Sequence, residues 1–338
     1  MNSNSRLFFF VITFLFSFLL LIIYVNNYSG FESKKIVNQQ RPDEKNYAPR
    51  SKEVLQPTSV SLRCPSVNEI FLHDKAWSEI FNVSNHQSKI KPEIIIETIR
   101  FMIQEIDELD PKLIEFVKKL IDPPSDKPIN LADMKLKDFS QSGQSIYIDE
   151  LLGKMQNGFV VEAGALDGET FSNSLYFELE RNWTGILIEP VPFLYEKILR
   201  KNRKMYSINA CIARKRPLVA KFKIASSTTL SGRDSEMSDF HQNWVGKDFQ
   251  YIYVPCFSLN TILKAINIDK VDFFSLDLEG GEWDVLSSLD FKNIDYRTFV
   301  IEHNRDKERR EKMTNYLIQN NYNLTLTTEL DIFFMKKN

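Results

Sequence analysis

Residues 159–170, FVVEAGALDGET, decide the fold of this 338-residue chain. The pattern predicts an apolar strand that ends at an acid, a loop with glycines at 164 and 168, and then a helix. In an open α/β sheet, this order builds a nucleotide pocket at the carboxyl end of the first strand. The stretch therefore predicts a doubly wound sheet with a ligand site at the tip of this strand.

The charge of the loop narrows the class of ligand. Pyrophosphate is normally held at a bare, positive helix N-terminus, and the carboxylates of Asp167 and Glu169 would repel it. S-Adenosylmethionine has no phosphate and carries a sulfonium and an ammonium group. The loop therefore favours this methyl donor. An NAD-type oxidoreductase is disfavoured further because the third glycine of the usual spacing is missing.

Three residues of this stretch are candidates for contact with the donor. Gly164 and Gly168 have no Cβ, so a ligand can touch their backbone. Glu162 could face the donor's amino group or order the loop. An acid that satisfies loop amides is an equal alternative for Glu162.

A second acid follows the next predicted strand, in the sequence ILIEP at 186–190. In dinucleotide folds, an acid at this place accepts hydrogen bonds from both ribose hydroxyls. Glu189 is therefore a candidate for ribose binding, and Pro190 would end the strand and position it. The alternative is an acid that pairs with a surface lysine.

A third acidic strand end lies in FFSLDLEGGEW at 273–283. In a doubly wound sheet it would lie beside the first strand, so Asp277 and Glu279 would line the cleft where the methyl group is presented. Either acid could orient the acceptor or remove its proton. The alternative is that two exposed acids cap the loop. His303, after the next strand, is a candidate base near neutral pH, although a lone histidine is more often a surface residue.

The rest of the chain alternates helix and strand. Helices are predicted over 146–154, 172–181, 192–201, 259–266, 283–289 and 306–319. Strands are predicted over 159–163, 185–189, 205–210, 271–278, 298–302, 322–327 and 331–335, with strand-like stretches at 218–224 and 251–256. The alternation predicts a mostly parallel sheet with helices on both faces, closed by an antiparallel pair. The polar segment 225–250 could be a lid over an acceptor or a solvated insertion.

Composition excludes several classes of function. The net charge of −2 gives no reason to expect nucleic-acid binding. The three cysteines are too few for a disulfide scaffold and lack zinc-ligand spacing, so no metal site is predicted. Cys211 and Cys256 could pair in an oxidising lumen or remain two separate buried thiols.

The N-terminal segment predicts a membrane anchor. Residues 7–25 are an unbroken apolar run without charge, close to the length of one bilayer crossing. No small-x-small cleavage site follows, which favours an uncleaved signal anchor. Flanking charges lean weakly towards a cytosolic domain. The glycosylation sequons at Asn82, Asn182 and Asn323 favour a luminal domain, which is the orientation we predict.

The predicted organisation has five segments. They are a short tail at 1–6, the anchor at 7–25, a flexible stem at 26–61, a helical extension at 62–143 and the α/β domain at 144–338. In the extension, Asp110 and Pro111 are typical of an N-cap and a first helical residue. The apolar stripes of its helices could pack on the main domain or form a partner surface.

Four of these motifs together resemble the FkbM-type methyltransferase domain. They are VEAGALDGET at 161–170, LIEP at 187–190, INAC at 208–211 and SLDLEG at 275–280. The sequences DPKLI at 110–114, PP at 123–124 and SGQ at 142–144 are similar to the arthropod Star-like branch, which adds a membrane anchor. The resemblance covers residues 110–338.

The resemblance implies a Rossmann-like S-adenosylmethionine fold and, where the domain is active, O-methylation. On that pattern Asp277 and Glu279 would line the reaction cleft. The residues that would contact the donor are Glu162, Gly164, Asp167, Gly168 and Glu189. Star-like proteins act at endoplasmic reticulum, Golgi and endosomal membranes in moving membrane-tethered growth-factor ligands.

Two functions therefore remain open from the sequence. One is an O-methyltransferase that uses S-adenosylmethionine. The other is a trafficking factor that keeps the fold and binds membrane-protein cargo, since a fold does not settle function. A luminal domain needs a luminal supply of donor, which weighs against the enzyme.

Overall fold

The structure, a computed structural model, describes residues 90–225, 231–233 and 249–337. The helices are α1 (Pro92–Ile103), α2 (Pro111–Leu120), α3 (Gln144–Leu151), α4 (Leu175–Arg181), α5 (Pro192–Lys201), α6 (Leu259–Ala265), α7 (Glu282–Leu286) and α8 (Lys307–Gln319). The strands are β1 (Ile121–Asp122), β2 (Phe159–Ala163), β3 (Thr184–Ile188), β4 (Tyr206–Ile208), β5 (Cys211–Ala213), β6 (Leu218–Ala225), β7 (Gly232–Arg233), β8 (Phe249–Ser258), β9 (Lys270–Leu276), β10 (Asp295–Glu302), β11 (Tyr322–Thr327) and β12 (Asp331–Lys336).

The main sheet has eight strands in the order β1-β4-β3-β2-β9-β10-β12-β11. The five strands from β4 to β10 are parallel, and β12 runs antiparallel to both β10 and β11. The short β1 adds an antiparallel edge beside β4. The predicted parallel α/β sheet with a closing antiparallel pair is confirmed.

The register of the central strands places their carboxyl ends at one edge of the sheet. Ala163, the last residue of β2, pairs with Ile188 of β3 and with Leu276 of β9. Leu276 in turn pairs with Ile301, one residue before the end of β10. Each of these strands is therefore followed by a loop at the same edge, where ligands of open α/β sheets bind.

Both faces of the sheet are buried, as a parallel sheet requires. Successive residues of a strand point to opposite faces. Val161 accordingly packs in the larger apolar cluster, with Phe274 and Ile186, while Val160 packs in a second cluster with Phe273. Near-continuous apolar strands therefore support helices on each side.

The two helices that precede the α/β alternation pack on the same core. Leu113 and Val117 of α2 are fully buried in the larger apolar cluster. The Asp110 carboxylate accepts a hydrogen bond from the Lys112 amide at 2.8 Å, and Pro111 is the first residue of the helix. The predicted cap and proline position are confirmed, and the apolar face of α2 is covered by this domain.

A second sheet, which the sequence did not predict, has the order β5-β8-β6-β7. The predicted strand over 205–210 was wrong at its end, because the main-sheet strand β4 stops at Ile208 and β5 belongs to the second sheet. Asn209 lies between them, and its Nδ2 donates to the carbonyls of Glu189 and Pro190. This side chain holds the chain where it leaves the first sheet.

Cys211 and Cys256 form a disulfide that joins neighbouring residues of β5 and β8, with Cα atoms 4.4 Å apart. The sequence left open a disulfide or two separate buried thiols, and the structure contains the disulfide.

Several predictions concern residues outside those that the structure describes. The tail at 1–6, the anchor at 7–25, the stem at 26–61, the first part of the extension and the Asn82 sequon all lie before residue 90. Most of the polar segment 225–250 falls in 226–230 and 234–248. Among the helices of the described ranges, none is both long and apolar enough to cross a membrane.

Candidate functional site

A cavity of about 300 Å³ lies at the edge of the main sheet where β2, β3, β9 and β10 end. Its volume is at the lower end of the range of about 300–1,000 Å³ for small-molecule sites. Gly164, Glu189 and Asp277 all line it. The three acidic or glycine-bearing strand ends picked out from the sequence therefore share one cavity.

Glu189 is buried in the wall of this cavity beside β3. Its two carboxylate oxygens accept hydrogen bonds from the amides of Leu166, at 2.9 Å, and Val191, at 2.8 Å. Burial raises the pKa of Glu189 to about 8, and the hydrogen bonds only partly offset it. With one amide bonded to each oxygen, the carboxyl still has hydrogen-bonding capacity for a ligand: it accepts when ionised, and it both donates and accepts when protonated.

Glu162 also reaches the cavity wall, but its carboxylate is bound to the loop before α4. It accepts hydrogen bonds from the Asn173 amide, at 2.5 Å, and from the hydroxyls of Ser172 and Ser174, at 3.0 and 2.5 Å. Burial raises the pKa of Glu162, against the opposing charge of Arg203. The geometry is that of an acid that orders its loop.

Gly164 lines the cavity and has a steric role besides the predicted contact with a ligand. Its φ is +86°, and a Cβ would collide with the backbone carbonyl oxygen of Asp277. That residue's amide donates to the Ala163 carbonyl at 3.1 Å, which draws the two strand ends together. The missing side chain therefore makes room for the neighbouring strand end as well as for the cavity that Gly164 lines.

Gly168 and Asp167 do not line the cavity. Gly168 has a φ of +78° and faces α5, where a Cβ would lie 3.2 Å from the Ile198 side chain. Asp167 accepts hydrogen bonds from the Glu169 amide, at 3.0 Å, and from the amide and hydroxyl of Thr170, at 2.7 and 3.0 Å. Although burial acts in the opposite direction, these bonds lower the pKa of Asp167. Both residues shape the loop.

Glu169, the other acid of this loop, does not line the cavity either. It accepts hydrogen bonds from the amides of Ala132 and Asp133 and pairs with Lys201. The carboxylates of Asp167 and Glu169 are therefore bonded outside the cavity wall, although the charge of Asp167 still acts on the site, where it helps to raise the pKa of Glu189.

The acidic character of the cavity comes instead from Asp277, Glu279 and Glu302. Their carboxylates offer oxygens that all lie within 4.8 Å of one another, close enough to hold one cation. Asp277 and Glu302 are joined by a hydrogen bond between their carboxyl groups. Burial, followed by the neighbouring negative charges, raises the pKa of both carboxyls well above the ordinary range. A proton on one of the two carboxyls therefore relieves the repulsion between them.

Asp331 adds a fourth carboxyl to the same wall. It pairs with Glu302 in the antiparallel register of β10 and β12, and its Oδ2 accepts a hydrogen bond from Gln144 Nε2 at 3.0 Å. Burial raises the pKa of Asp331 to about 6.

The loop after β9 is held by Glu282 at the start of α7. Its Oε1 accepts hydrogen bonds from the amides of Leu278, at 2.9 Å, and Gly280, at 3.0 Å, while its Oε2 pairs with Arg309 at 3.0 Å. Glu279 lies within this loop with a φ of +56°. The loop that carries the predicted catalytic acids is therefore fixed by a buried ion pair.

The structure does not bring His303 to the cavity. Its ring is buried, at 1% exposure, and burial lowers its pKa. Glu302 and Asn304, on either side of it, do line the cavity. Adjacent residues at a strand end point to opposite faces, so the histidine faces inward while its neighbours face the ligand site.

The polar residues of the wall that sequence reasoning missed include Gln144, Asn173, Glu302 and Asp331, and also the two arginines Arg233 and Arg305. The place of Glu302 could have been predicted from the sequence, because this acid ends an apolar strand. Glu162 and Glu189 lie within one residue of the ends of their strands. The places of Asp331 and Gln144 could not have been predicted in this way, since long-range pairing brings them to the site. Asn173 donates from Nδ2 to Ser275 Oγ at 2.8 Å, a contact across 102 positions of sequence.

Comparison with known proteins gives one family match. Residues 162–324 match the family model described as the methyltransferase FkbM domain. This part of the chain is therefore similar to methyltransferase-type domains. The comparison with curated proteins gives no match.

Solved structures with similar folds include three methyltransferases. Methyltransferase FkbM from Methylobacillus flagellatus KT is 11% identical, with a TM-score of 0.34, covering 79% of this chain and 60% of that one. Precorrin-6y C5,15-methyltransferase from Geobacter metallireducens GS-15 is 13% identical, with a TM-score of 0.31 and coverages of 63% and 97%. The 1,6-didemethyltoxoflavin-N1-methyltransferase from Burkholderia thailandensis, solved with S-adenosylhomocysteine, is 9% identical, with a TM-score of 0.32 and coverages of 58% and 78%. The chain spans 60% of the length of the FkbM structure.

Proposed function

We propose, on the premise that residues 162–324 form a methyltransferase-type domain, that this protein binds S-adenosylmethionine and methylates a hydroxyl group. The observation that carries the proposal is the single cavity shared by Gly164, Glu189 and Asp277. Its wall carries two arginines, Arg233 and Arg305, and a larger number of carboxyl groups, those of Glu162, Glu189, Asp277, Glu279, Glu302 and Asp331. The excess of carboxyl groups favours a cationic, phosphate-free nucleoside over a dinucleotide.

The donor would extend across the tip of β2. Glu189, beside β3, would accept hydrogen bonds from the ribose hydroxyls, for which its carboxylate has free lone pairs. The acidic cluster at the end of β9 would lie at the reacting end. S-Adenosylmethionine, when bound, supplies a methyl group on a positively charged sulfur.

The residues at the reacting end would handle the acceptor's proton. As the acceptor oxygen forms its bond to the methyl carbon and the carbon–sulfur bond breaks, the hydroxyl proton must leave. A carboxylate of the Asp277 and Glu302 pair would accept this proton, because burial and the adjacent negative charges favour the protonated form of both groups. Glu279 lies close enough to share this role. Holding donor and acceptor in line supplies much of the rate enhancement.

Calorimetry on the purified full-length protein tests the proposal. We expect S-adenosylmethionine and S-adenosylhomocysteine to bind, and Glu189→Gln to weaken both by about tenfold or more, because it removes a ligand acceptor. Glu196→Gln, at an exposed acid of α5, is the matched control and should bind as the wild type does.

Absence of heat with either ligand would remove the proposed activity. It would favour the alternative, a trafficking factor that uses the same fold to bind membrane-protein cargo.

For the cellular setting, we propose that the protein is a Star-like, single-pass membrane protein of the secretory pathway, with its soluble domain in the lumen. The proposed segments are those predicted above, with the anchor at 7–25, the stem at 26–61 and the extension at 62–143 before the α/β domain.

Two observations support this cellular setting. The disulfide of Cys211 and Cys256 is of the kind that persists in oxidising compartments, and Asn182 and Asn323 of the sequons are exposed. Unmodified Asn182 and Asn323 in protein from cells, judged by endoglycosidase digestion, would contradict it.

A further inference from the structure

A strained turn follows β10 in the wall of the cavity. The Asp306 amide donates to the His303 carbonyl at 2.8 Å and closes the turn. Its two central residues, Asn304 and Arg305, have φ values of +50° and +61°. A turn with positive φ at both central positions favours asparagine followed by glycine, because other side chains are strained in the left-handed region. Asparagine fits its position here, but an arginine occupies the position that favours glycine.

Backbone strain of this kind is concentrated around the cavity. Among the described residues, six that are neither glycine nor asparagine have a positive φ. Two of these, Glu105 and Lys154, lie just after helices. The other four line the cavity, and they are Leu166, Phe171, Glu279 and Arg305. Strained residues cluster at ligand sites, where the surrounding structure holds them in place, so these four are candidates for contact with a ligand.

The ion pair that Arg305 makes within the protein does not account for its strained position. Its Nε pairs with Glu329 Oε1 at 2.7 Å, and both side chains are largely exposed, at 57% and 72%. An exposed ion pair contributes little to stability, because water and salt screen it, and less than a left-handed conformation costs. We therefore expect the guanidinium to have a role besides this pair.

Arg305 follows the strand that carries one of the reacting carboxyls. Asn304, its neighbour in the turn, donates from Nδ2 to Glu302 Oε2 at 2.7 Å, and Glu302 is hydrogen-bonded to Asp277. Glu302 is 8% exposed, whereas Arg305 lies at the exposed rim. Arg233, the other arginine of the wall, lies on β7 of the second sheet. At the end of β10, the charge therefore changes sign from the interior of the cavity to its rim.

We propose that Arg305 binds an anionic group of the methyl acceptor, so that the substrate is a hydroxyl compound that also carries a carboxylate, sulfate or phosphate. The proposal rests on the proposed methylation of a hydroxyl and names the class of its acceptor. A guanidinium meets such anions with two parallel hydrogen bonds. The buried carboxyls repel the anion, so that it stays at the rim while the neutral hydroxyl enters. Phe171, 48% exposed in the same wall, offers an apolar face to a ring of the acceptor.

Matched pairs of ring compounds test the anionic group. Para-hydroxybenzoate and para-hydroxybenzamide have the same hydroxyl and nearly the same shape but differ in charge, and glucuronic acid and glucuronamide form a second pair with a sugar ring. We expect full-length wild-type protein, saturated with S-adenosylhomocysteine, to bind at least one of the acids about tenfold more tightly than its amide near neutral pH. Ligand-observed NMR titration measures these affinities.

Arg305→Gln should abolish the preference for the acid and leave the affinity for the amide unchanged. The matched control is Arg216→Gln, because Arg216 also forms an exposed pair, with Glu105, but does not line the cavity. This variant should bind as the wild type does. Glu329→Gln removes the partner of Arg305 and leaves the guanidinium, so the preference should be kept or increased.

Arg305→Gly separates a binding role from a structural one. It gives the turn the residue that its backbone favours, so we expect the thermal unfolding midpoint to equal or exceed that of the wild type while the preference for the acid is lost. A lower midpoint would assign the arginine to the stability of the turn and overturn the proposal.

The binding outcomes are distinct as well. Equal affinity of the wild type for acid and amide in both pairs, or binding of neither, would overturn the proposal, and the proposed function would stand as long as S-adenosylhomocysteine binds. A preference that persists in Arg305→Gln would place the anion elsewhere in the wall and overturn it too. Failure of the wild type to bind S-adenosylhomocysteine would remove both the proposal and the proposed function.

Discussion

At the scale of single residues, the most informative positions are glycines and acids whose roles differ from those that the sequence suggests. Gly164, Gly168 and Asp167 all look like ligand contacts in the sequence. In the structure, the absent side chain of Gly164 leaves room for a neighbouring strand, and that of Gly168 leaves room for a neighbouring helix. The carboxylate of Asp167 is hydrogen-bonded within its own loop. Glu189 keeps its predicted place in the cavity. A sequence motif locates such a site well, because the loop geometry is local. It assigns individual contacts poorly, because the neighbours are distant in sequence.

Gly164→Ala provides a test at this scale. The new Cβ would meet the Asp277 carbonyl and would have to adopt a φ of +86°, so we expect a loss of free energy of unfolding of more than about 2 kcal/mol. Gly153→Ala is the control, because its φ is +63° but nothing lies within 4 Å of the added atom. That variant should lose about 1 kcal/mol. Equal losses in urea unfolding would show that the two strand ends are not in close contact.

At the scale of elements, the sequence predicted those whose signals are local. β2 and α5 have the predicted boundaries, and the cap of α2 is as expected. The second sheet escaped prediction because β6 and β8 pair across a long, polar segment of chain, which no local pattern reports. The division between β4 and β5 depends on Asn209, whose partners are carbonyls about 20 positions away.

The disulfide gives a prediction about these elements, because it ties β5 to β8 across 45 positions. Replacing both Cys211 and Cys256 by serine should lower the free energy of unfolding by about 2–4 kcal/mol, since the unfolded chain is no longer constrained. Denaturant unfolding with and without a reductant measures this. Reductant should destabilise the wild type and leave the double variant unchanged. A wild type insensitive to complete reduction would contradict the account.

At the scale of the whole molecule, the candidate site gathers carboxyls from separate parts of the chain at an energetic cost. Asp277, Glu302 and Asp331 come from the ends of three strands, and burial raises the pKa of each. Groups of this kind are typical of functional sites. The sequence predicted Asp277 as a site residue because it follows the strand that was expected to lie beside β2. It could not predict that the Glu302 carboxyl would be hydrogen-bonded to that of Asp277.

A pH-dependent stability follows from this cluster. A carboxyl whose pKa is raised in the folded state holds its proton there while the unfolded chain has lost it. Such a group therefore stabilises the fold at low pH, and this contribution is lost as pH rises above about 4.5. Glu302→Gln removes one such group. We expect it to gain stability relative to the wild type as pH is raised from 5 to 8, by up to about 1.4 kcal/mol per pH unit.

The measurement is urea unfolding of both proteins at pH 5 and pH 8. Glu196→Gln serves again as an exposed control whose difference from the wild type should not depend on pH. A constant difference between Glu302→Gln and the wild type would mean that the carboxyl pair is not strained by burial.

The central claim is that four strand ends form one pocket for a cationic nucleoside. Hydrogen exchange on the full-length protein, with and without S-adenosylhomocysteine, tests it most directly. The account predicts that the ligand slows exchange together in the loops at 164–173, 189–191, 277–281 and 303–305, and leaves helix α2, none of whose residues lines the cavity, unchanged. Binding that protects other parts of the chain, or protects only one of the four loops, would contradict it.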